Sequence, residues 1–567
     1  MVQNRVRFSA VNRAAELFTP QFVEYLTHMH EQFTPRVRVL RTKRAEVLQK
    51  ALDGGTLPGH LPITGTNTGD WQVPPVPEEL KRPGIEISGP VSITGMFINA
   101  LNPGPEGTRA EGDLDDDEDS AGYQFIDTVN AGHNRLAAVK RTLTYHDAER
   151  KKEYNIEPGE LPFFMHRERG LAVDEPEVTV DGVPIPASIL GTALTLFYAG
   201  RAQAERGQGI YFYLPKLESA EEADFWREFF DASRQRLDFL KDAVIKAIIL
   251  IESLPAVYQM EEMLYALGSY AAGLNAARWD LQASILEFIM TDPNSVWPDR
   301  FGVDIKTTDF LTNICRRLVA VCLKRGAVPI GGMATALPSR DDEVNKVAAA
   351  AIRADKEWEA QQGFLRGWVA HIFHMKTAAD SFKELRASGW EPTQEMMNPE
   401  RYPVEIKVPE GSITIEGTRR NARMLLEYLE GWLNGRGAKG IDSLAGKPGI
   451  HPALMEDLAT ARISVAQVAQ RIRHQVKDSN TGEVHNFALV KRLIQEETED
   501  ILAQLKTTVI KGDPKSQAAY SQAEDRYRKS AKIALHWIKS YVELNFRSLG
   551  SYTRSQLNEI AKQKGAF

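Results

Sequence analysis

Cysteine is almost absent: Cys315 and Cys322 are the only two in 567 residues. They stand seven positions apart in LTNICRRLVAVCLKRG, on one face of a helical pattern, which reads as two small buried apolar side chains rather than a redox pair. A disulfide framework is thereby excluded, and a reducing compartment, the cytoplasm, is expected. Long apolar runs are missing too, since no window approaches the roughly 18 uninterrupted apolar residues of a membrane helix. The N-terminal MVQNRVRFSAVNRAAEL lacks the apolar segment of a secretory signal. Nor is there an excess of base: the formal net charge is −7, which gives no reason to expect a nucleic-acid partner. Oligomeric state is left open by the sequence.

What the chain does contain is alternation. After helical patterns (AAELFTPQFVEYLTHMHEQF, PRVRVLRTKRAEVLQKAL) and a Gly/Pro/Thr-rich connector, short apolar runs take turns with longer helical ones. GIEISGP, GIYFYLPK, AVIKAIILIES, AAGLNAARWD, GAVPIGGM and GWVAHIF read as parallel strands buried on both faces. Such repetition over some 300 residues predicts an α/β fold, with the (β/α)8 TIM barrel the size-matched choice. Three regions are expected: an N-terminal helical clasp and connector over 1–83, the barrel over 84–390, and a helical plug over 391–567.

Several patterns invite chemistry and most decline it. GRGAKG, from Gly435 to Gly440, matches the dinucleotide-binding spacing, but it follows the helical LLEYLEGWLN rather than a strand, so it reads as a helix end and turn. The histidine pairs 28/30 and 371/374 have no accompanying carboxylate or cysteine set and read as structural. EGDLDDDEDS, residues 111–120, holds seven carboxylates in ten positions, which composition alone assigns to solvent. Glu252 after AIILI and Asp280 after NAARW are carboxylates at the ends of successive strands, an arrangement that suits octahedral Mg2+ with waters and an oxygen-rich substrate. A pair of solvent-facing strand ends has the same spacing.

Longer stretches carry more. ILIESLPAVYQMEEMLYAL, GLNAARWD, GIYFYLPKLES, KRGAVPIGGMATALPSRDDEVN, IRADKEWEAQQGF, TRRNARMLLEYLEGWLNGRGA and ALMEDLATARIS together resemble the malate synthases, in their shorter A-type form, from about residue 15 to 500. The resemblance implies a barrel with a helical clasp and a helical plug over its mouth, and condensation of acetyl-CoA with glyoxylate, using Mg2+, to give malate and CoA. Carried over by motif, Glu252 and Asp280 match the Mg2+ ligands, Asp457 in LMED the base that removes a methyl proton, and Arg167 in HRERG the arginine facing the aldehyde and the forming enolate. Ala277, Arg278 and Trp279 match substrate-binding positions, and Ser120, Pro255 and Met455 acyl-CoA-binding ones. The family's D-x-E-D-S motif falls on residues 116–120, which implies that Asp116 and Glu118 hold the metal's waters.

The chain also departs from the family. Where relatives have a short apolar strand before that motif, it has NPGPEGTRAEGDLDD, so EGDLDD is expected to be a solvated or irregular loop, or a strand displaced by an insertion. Ser92, Ile93, Thr94 and Gly95 replace a basic pair, Ile372 and Phe373 replace Pro-Gly, and Phe364, Leu365, Arg366 and Gly367 replace H-D-G-T, segments that resemble parts of the acetyl-CoA channel. Two alternatives therefore accompany the main reading: a Claisen-type enzyme or lyase using another acyl-CoA or 2-oxo acid, and a weakly active relative kept as a binding protein.

Overall fold

The structure is a computed structural model that describes residues 5–121, 123–441, 453–511 and 513–562; residues 1–4 of the N-terminal stretch discussed above lie outside it. Eight parallel strands close into a barrel in chain order: β1 (Gly84–Pro90), β2 (Gly112–Asp116), β3 (Phe163–Arg167), β4 (Ile210–Leu214), β5 (Ile245–Ile251), β6 (Ala271–Ala276), β7 (Val328–Ala334) and β8 (Arg366–Val369). The ring shuts where β8 pairs with β1, Trp368 opposite Glu86. Near-solid apolar runs make this possible: all seven residues of IKAIILI are buried, a pattern a strand sustains only when both its faces are covered.

Helices supply the outer cover and the two appendages. Helix α1 (Pro20–Gly54) starts at Thr19, whose side chain accepts from the Phe22 amide, and ends at Gly55 with φ 66°. It buries Phe22, Leu26, Met29, Phe33, Val37 and Leu40 at helical spacing. Helix α2 (Phe125–Val139) follows β2, and α3 (Ala220–Arg236) follows β4, its Phe225 ring meeting Phe33 of α1 edge-on at 5.5 Å. Helix α4 (Arg278–Phe288) starts directly after β6. Beyond the barrel, α5 (Ile415–Leu433), α6 (Leu458–Arg473), α7 (Phe487–Thr507) and α8 (Pro514–Val542) pack on one another. GRGAKG lies just past α5, with Gly435 at φ 81°, and leads into the short strand Lys439–Ile441. His30 bonds Thr34, His28 bonds Arg236, and the Cys315 and Cys322 thiols are buried and free.

The acidic run is not a loop. Gly112–Asp116 is a regular strand, buried at all five positions and paired in register with β1 and β3. Composition misleads because the carboxylates are met by cations from neighbouring elements. On the outer face of β2, Asp115 accepts from Arg135 Nε of α2 at 2.5 Å and contacts His166 Nδ1 at 2.7 Å. Arg135 also donates to Glu168 Oε1 at 2.5 Å. Asp116, facing inward, takes both Nε and Nη2 of Arg167 at 2.7 and 2.8 Å. Charge pairing thus replaces hydrophobicity as the reason this strand is buried.

Asp113 is the exception, with both carboxylate oxygens buried and without a partner. Burial, then Asp115, pushes its carboxyl well above the usual range. A carboxyl raised on folding helps stability below its unfolded pKa, about 3.9, and loses that contribution as pH climbs toward the folded value. Asp113→Val is therefore expected to stabilise the protein near pH 7 by about 1–3 kcal/mol, with the gain shrinking toward pH 4; denaturant unfolding at both pH values measures it.

A second polar layer crosses the barrel interior. Glu86 of β1 accepts from Tyr213 Oη of β4 at 2.6 Å and from Arg366 Nε of β8 at 2.9 Å, and Arg366 also donates to the Leu80 and Arg82 carbonyls. Phe364, Leu365, Arg366 and Gly367 consequently lie at the N-terminal end of β8, on the floor of the barrel. Their departure from the family pattern belongs to that floor and not to an acyl-CoA channel, because the mouth is at the opposite strand ends. Residues 92–95 and 372–373, which follow β1 and β8, are on the mouth side.

Candidate active site

The C-terminal strand ends converge on a cavity of about 60 Å3 whose wall includes Asp119, Arg167, Glu252, Asp280, Trp368 and Asp457. Arg167 ends β3, Asp119 follows β2, Glu252 follows β5, and Asp280 sits in the first turn of α4. Asp457 comes from the other side. It is the N-cap of α6, its Oδ1 accepting from the Ala459 amide at 3.0 Å while its own amide donates to Thr460 Oγ1 at 3.1 Å. The strand before it, Leu454–Glu456, is stitched to the barrel by Met455 N to Thr335 O and Leu337 N to Ala453 O, both 2.8 Å. Helix α6 is anchored again where Arg462 donates to Asp280 Oδ1 at 2.8 Å. The plug thereby completes the cavity.

Three carboxylates form one cluster. Oxygens of Asp119, Glu252 and Asp280, all buried, lie within 4.8 Å of one another, and this is the only such group among the described residues. An oxygen-only donor set of this kind fits a hard divalent cation that keeps some of its waters. Lys216, two residues past β4, reaches into the same cluster: Nζ is 2.9 Å from Oε2 of Glu118, Oδ1 of Asp119 and Oδ2 of Asp280, and its amide donates to Glu252 Oε1 at 2.6 Å.

The same cluster splits the acidities of its members. Burial pushes Glu252 up to about 7. Asp280 is pushed up by burial as well, but Lys216 and Arg462 outweigh it and hold the carboxyl below the usual range. Asp457 rises to about 8, from burial first and the nearby Asp119 charge second. Glu118 rises well above the usual range for the same two reasons. Asp116 goes the other way, Arg167 overcoming the effect of burial. Divergent acidities in one cleft are what proton-transfer chemistry requires, and buried ion-pair networks produce them as well.

Of the residues singled out in the sequence, Arg167, Glu252, Asp280, Asp457, Ala277, Arg278, Trp279 and Met455 share this cavity. The Arg278 guanidinium is already paired with Asp355, at 2.9 Å, and with Glu359. Asp116 does not reach the cluster: its oxygens are taken by Arg167 and by the Glu118 and Ser120 amides. Ser120 Oγ donates to Asp116 Oδ2 at 2.6 Å, and Pro255 is buried in a short helix; neither lines the cavity. Glu118 lines a second cavity, of about 370 Å3, on the far side of Lys216.

Comparison with known proteins agrees with this geometry along almost the whole chain. Residues 2–66 match the family model described as malate synthase, N-terminal domain, residues 163–407 the malate synthase TIM barrel domain, and residues 412–542 the malate synthase C-terminal region. Malate synthase A of Escherichia coli (strain K12) is 36% identical over 495 residues, 86% of this chain and 89% of that one. A malate synthase of Streptomyces clavuligerus is 35% identical over 532 residues, covering 91% and 93%. The chain belongs to the malate synthase family. It is an acyltransferase of the class that name denotes. Strands β1 and β2, the second of which carries the acidic run, fall between the matched segments.

Membership of the malate synthase family also exposes what sequence reading missed. Asp119 is part of the same D-x-E-D-S motif that was read for Asp116 and Glu118, and its position inside that motif was the available signal. Lys216 stood in the quoted stretch GIYFYLPKLES, but nothing in a one-dimensional reading tells that its ammonium meets carboxylates from two other segments.

Proposed function

We propose that this malate synthase family member condenses acetyl-CoA with glyoxylate at the barrel mouth, with Mg2+ held by Asp119, Glu252 and Asp280, and hydrolyses the product thioester to malate and CoA. The observation that carries the reading is the meeting of Asp457, Arg167 and the acidic cluster around one small cavity. A cavity of about 60 Å3 exceeds the ~10–15 Å3 that a single enclosed water needs and has room for a small oxo acid. When bound, Mg2+ would draw electron density from the aldehyde and so favour attack on its carbon.

The protein's own residues do the rest. The first-turn amides after Ala277, at the positive end of α4, favour the glyoxylate carboxylate. Asp457 takes a proton from the acetyl methyl, and Arg167, fixed by Asp116 and stacked 5.8 Å from Trp368, stabilises the enolate oxygen as charge develops there. The enolate carbon bonds to the aldehyde carbon, the resulting alkoxide gains a proton, and water cleaves the malyl thioester with departure of the CoA thiol. The two buried free thiols are compatible with a reducing compartment such as the cytoplasm.

The test is a panel of acyl-CoAs of increasing chain length, mixed with glyoxylate, Mg2+ and purified protein. Thiol release with acetyl-CoA, lost with longer chains, is the expected result. Release only with longer chains would sink the acetyl assignment.

A further inference from the structure

We propose that Lys216 is an internal cation that competes with the divalent metal for the carboxylate cluster, and that the cavity behind it receives the lysine side chain when metal binds. This rests on the metal-binding reading above. Two of the three candidate ligands, Asp119 and Asp280, give an oxygen to Lys216 Nζ at 2.9 Å, and the third, Glu252, accepts from its amide. A divalent ion needs those same lone pairs. It would also stand close enough to the ammonium for like-charge repulsion in a buried, weakly screened site.

The placement of Lys216 is specific. Its φ is 53°, a left-handed conformation for a residue with a side chain. The backbone there is tied from the clasp: Arg44 of α1 donates from Nη2 to the Lys216 carbonyl at 2.8 Å and is itself gripped by Glu222 of α3. The side chain therefore has a fixed root and two directions to point. Forward lies the cluster. Backward lies the cavity of about 370 Å3, whose wall sets Glu118, Glu218 and Glu287 beside Arg44, Arg462 and Arg547. Glu252 is in the wall of both cavities. A lysine turned backward keeps Glu118 as a partner and gains room beside Glu218, so the charge it leaves behind in front is taken over by the metal.

Mn2+ serves as the probe, with free ion counted by electron paramagnetic resonance in titrations of the full-length protein. Lys216→Met is expected to bind Mn2+ at least ten-fold more tightly than wild type, because no ammonium has to be displaced. A residue that merely positions the ligands would give the opposite sign, so unchanged or weaker binding overturns the proposal. No Mn2+ binding by wild type or variant would remove the metal reading itself, and the proposal with it. A second measurement needs no variant. Trace acetylation of wild-type lysines, quantified peptide by peptide, should rise several-fold at Lys216 when Mn2+ is added, relative to exposed lysines such as Lys346. Equal labelling with and without Mn2+ overturns the proposal.

Discussion

Asp457→Asn is expected to lower kcat for CoA release by about 10²–10⁴-fold, the range that loss of a general base gives, while Mn2+ and glyoxylate still bind. The amide preserves the N-cap acceptor toward Ala459, so α6 stays docked and the loss reports chemistry rather than assembly. The pH profile supplies an independent check. A base works only when deprotonated, so kcat/KM in the wild type should rise with pH through the Asp457 titration. Burial and the Asp119 charge raise that carboxyl to about 8, and a bound divalent cation draws it back down. The acid limb accordingly falls above the ordinary carboxylate range of about 3.9 and below 8, and it vanishes in Asp457→Asn. Full activity in the variant would refute the assignment.

The second large effect is on stability. Arg135→Met removes the guanidinium that holds Asp115 and Glu168, each at 2.5 Å, and that also bonds Thr195 at 3.0 Å. Two buried carboxylates then lose their counter-charge, a change that typically costs about 3–5 kcal/mol. A fall in thermal midpoint and in denaturant midpoint should both register it. Replacing Asp115 and Glu168 by Asn and Gln in the same chain should recover part of the loss, since the amides carry no charge yet keep an acceptor for His166 and Thr195. An Arg135→Met protein that unfolds at the wild-type midpoint would mean that Arg135 does not hold this strand in place.

These two residues also show where the sequence is legible. Asp457 was reached through the resemblance of LMED to the family's motif, a short local stretch, and it lies on the cavity wall. The strands β4 to β8 could be found because IKAIILI and its counterparts are continuous apolar runs, and burial on both faces leaves little else for them to be. The β2 strand was misread for the complementary reason. Asp115 and Asp116 are held by Arg135, His166 and Arg167, residues 20 to 51 positions away, and no rule of local composition anticipates partners that only the closed barrel brings together. Lys216 escaped for the same cause, and so did the floor pairing of Arg366 with Glu86, which are 280 positions apart. Apolar elements announce their burial in advance, whereas polar ones are justified only by the finished fold.

That difference bears on how the barrel comes to close. An unpaired barrel strand is ordinarily sticky, a row of open backbone groups with apolar flanks that can join the wrong chain. Here the strand between β1 and β3 carries three carboxylates in its five residues, charge that repels a second copy of itself. Only α2 and β3 carry the cations that make its burial tolerable. Negative charge on the undocked strand opposes edge-to-edge pairing of two copies and yields to the neighbours that bring cations.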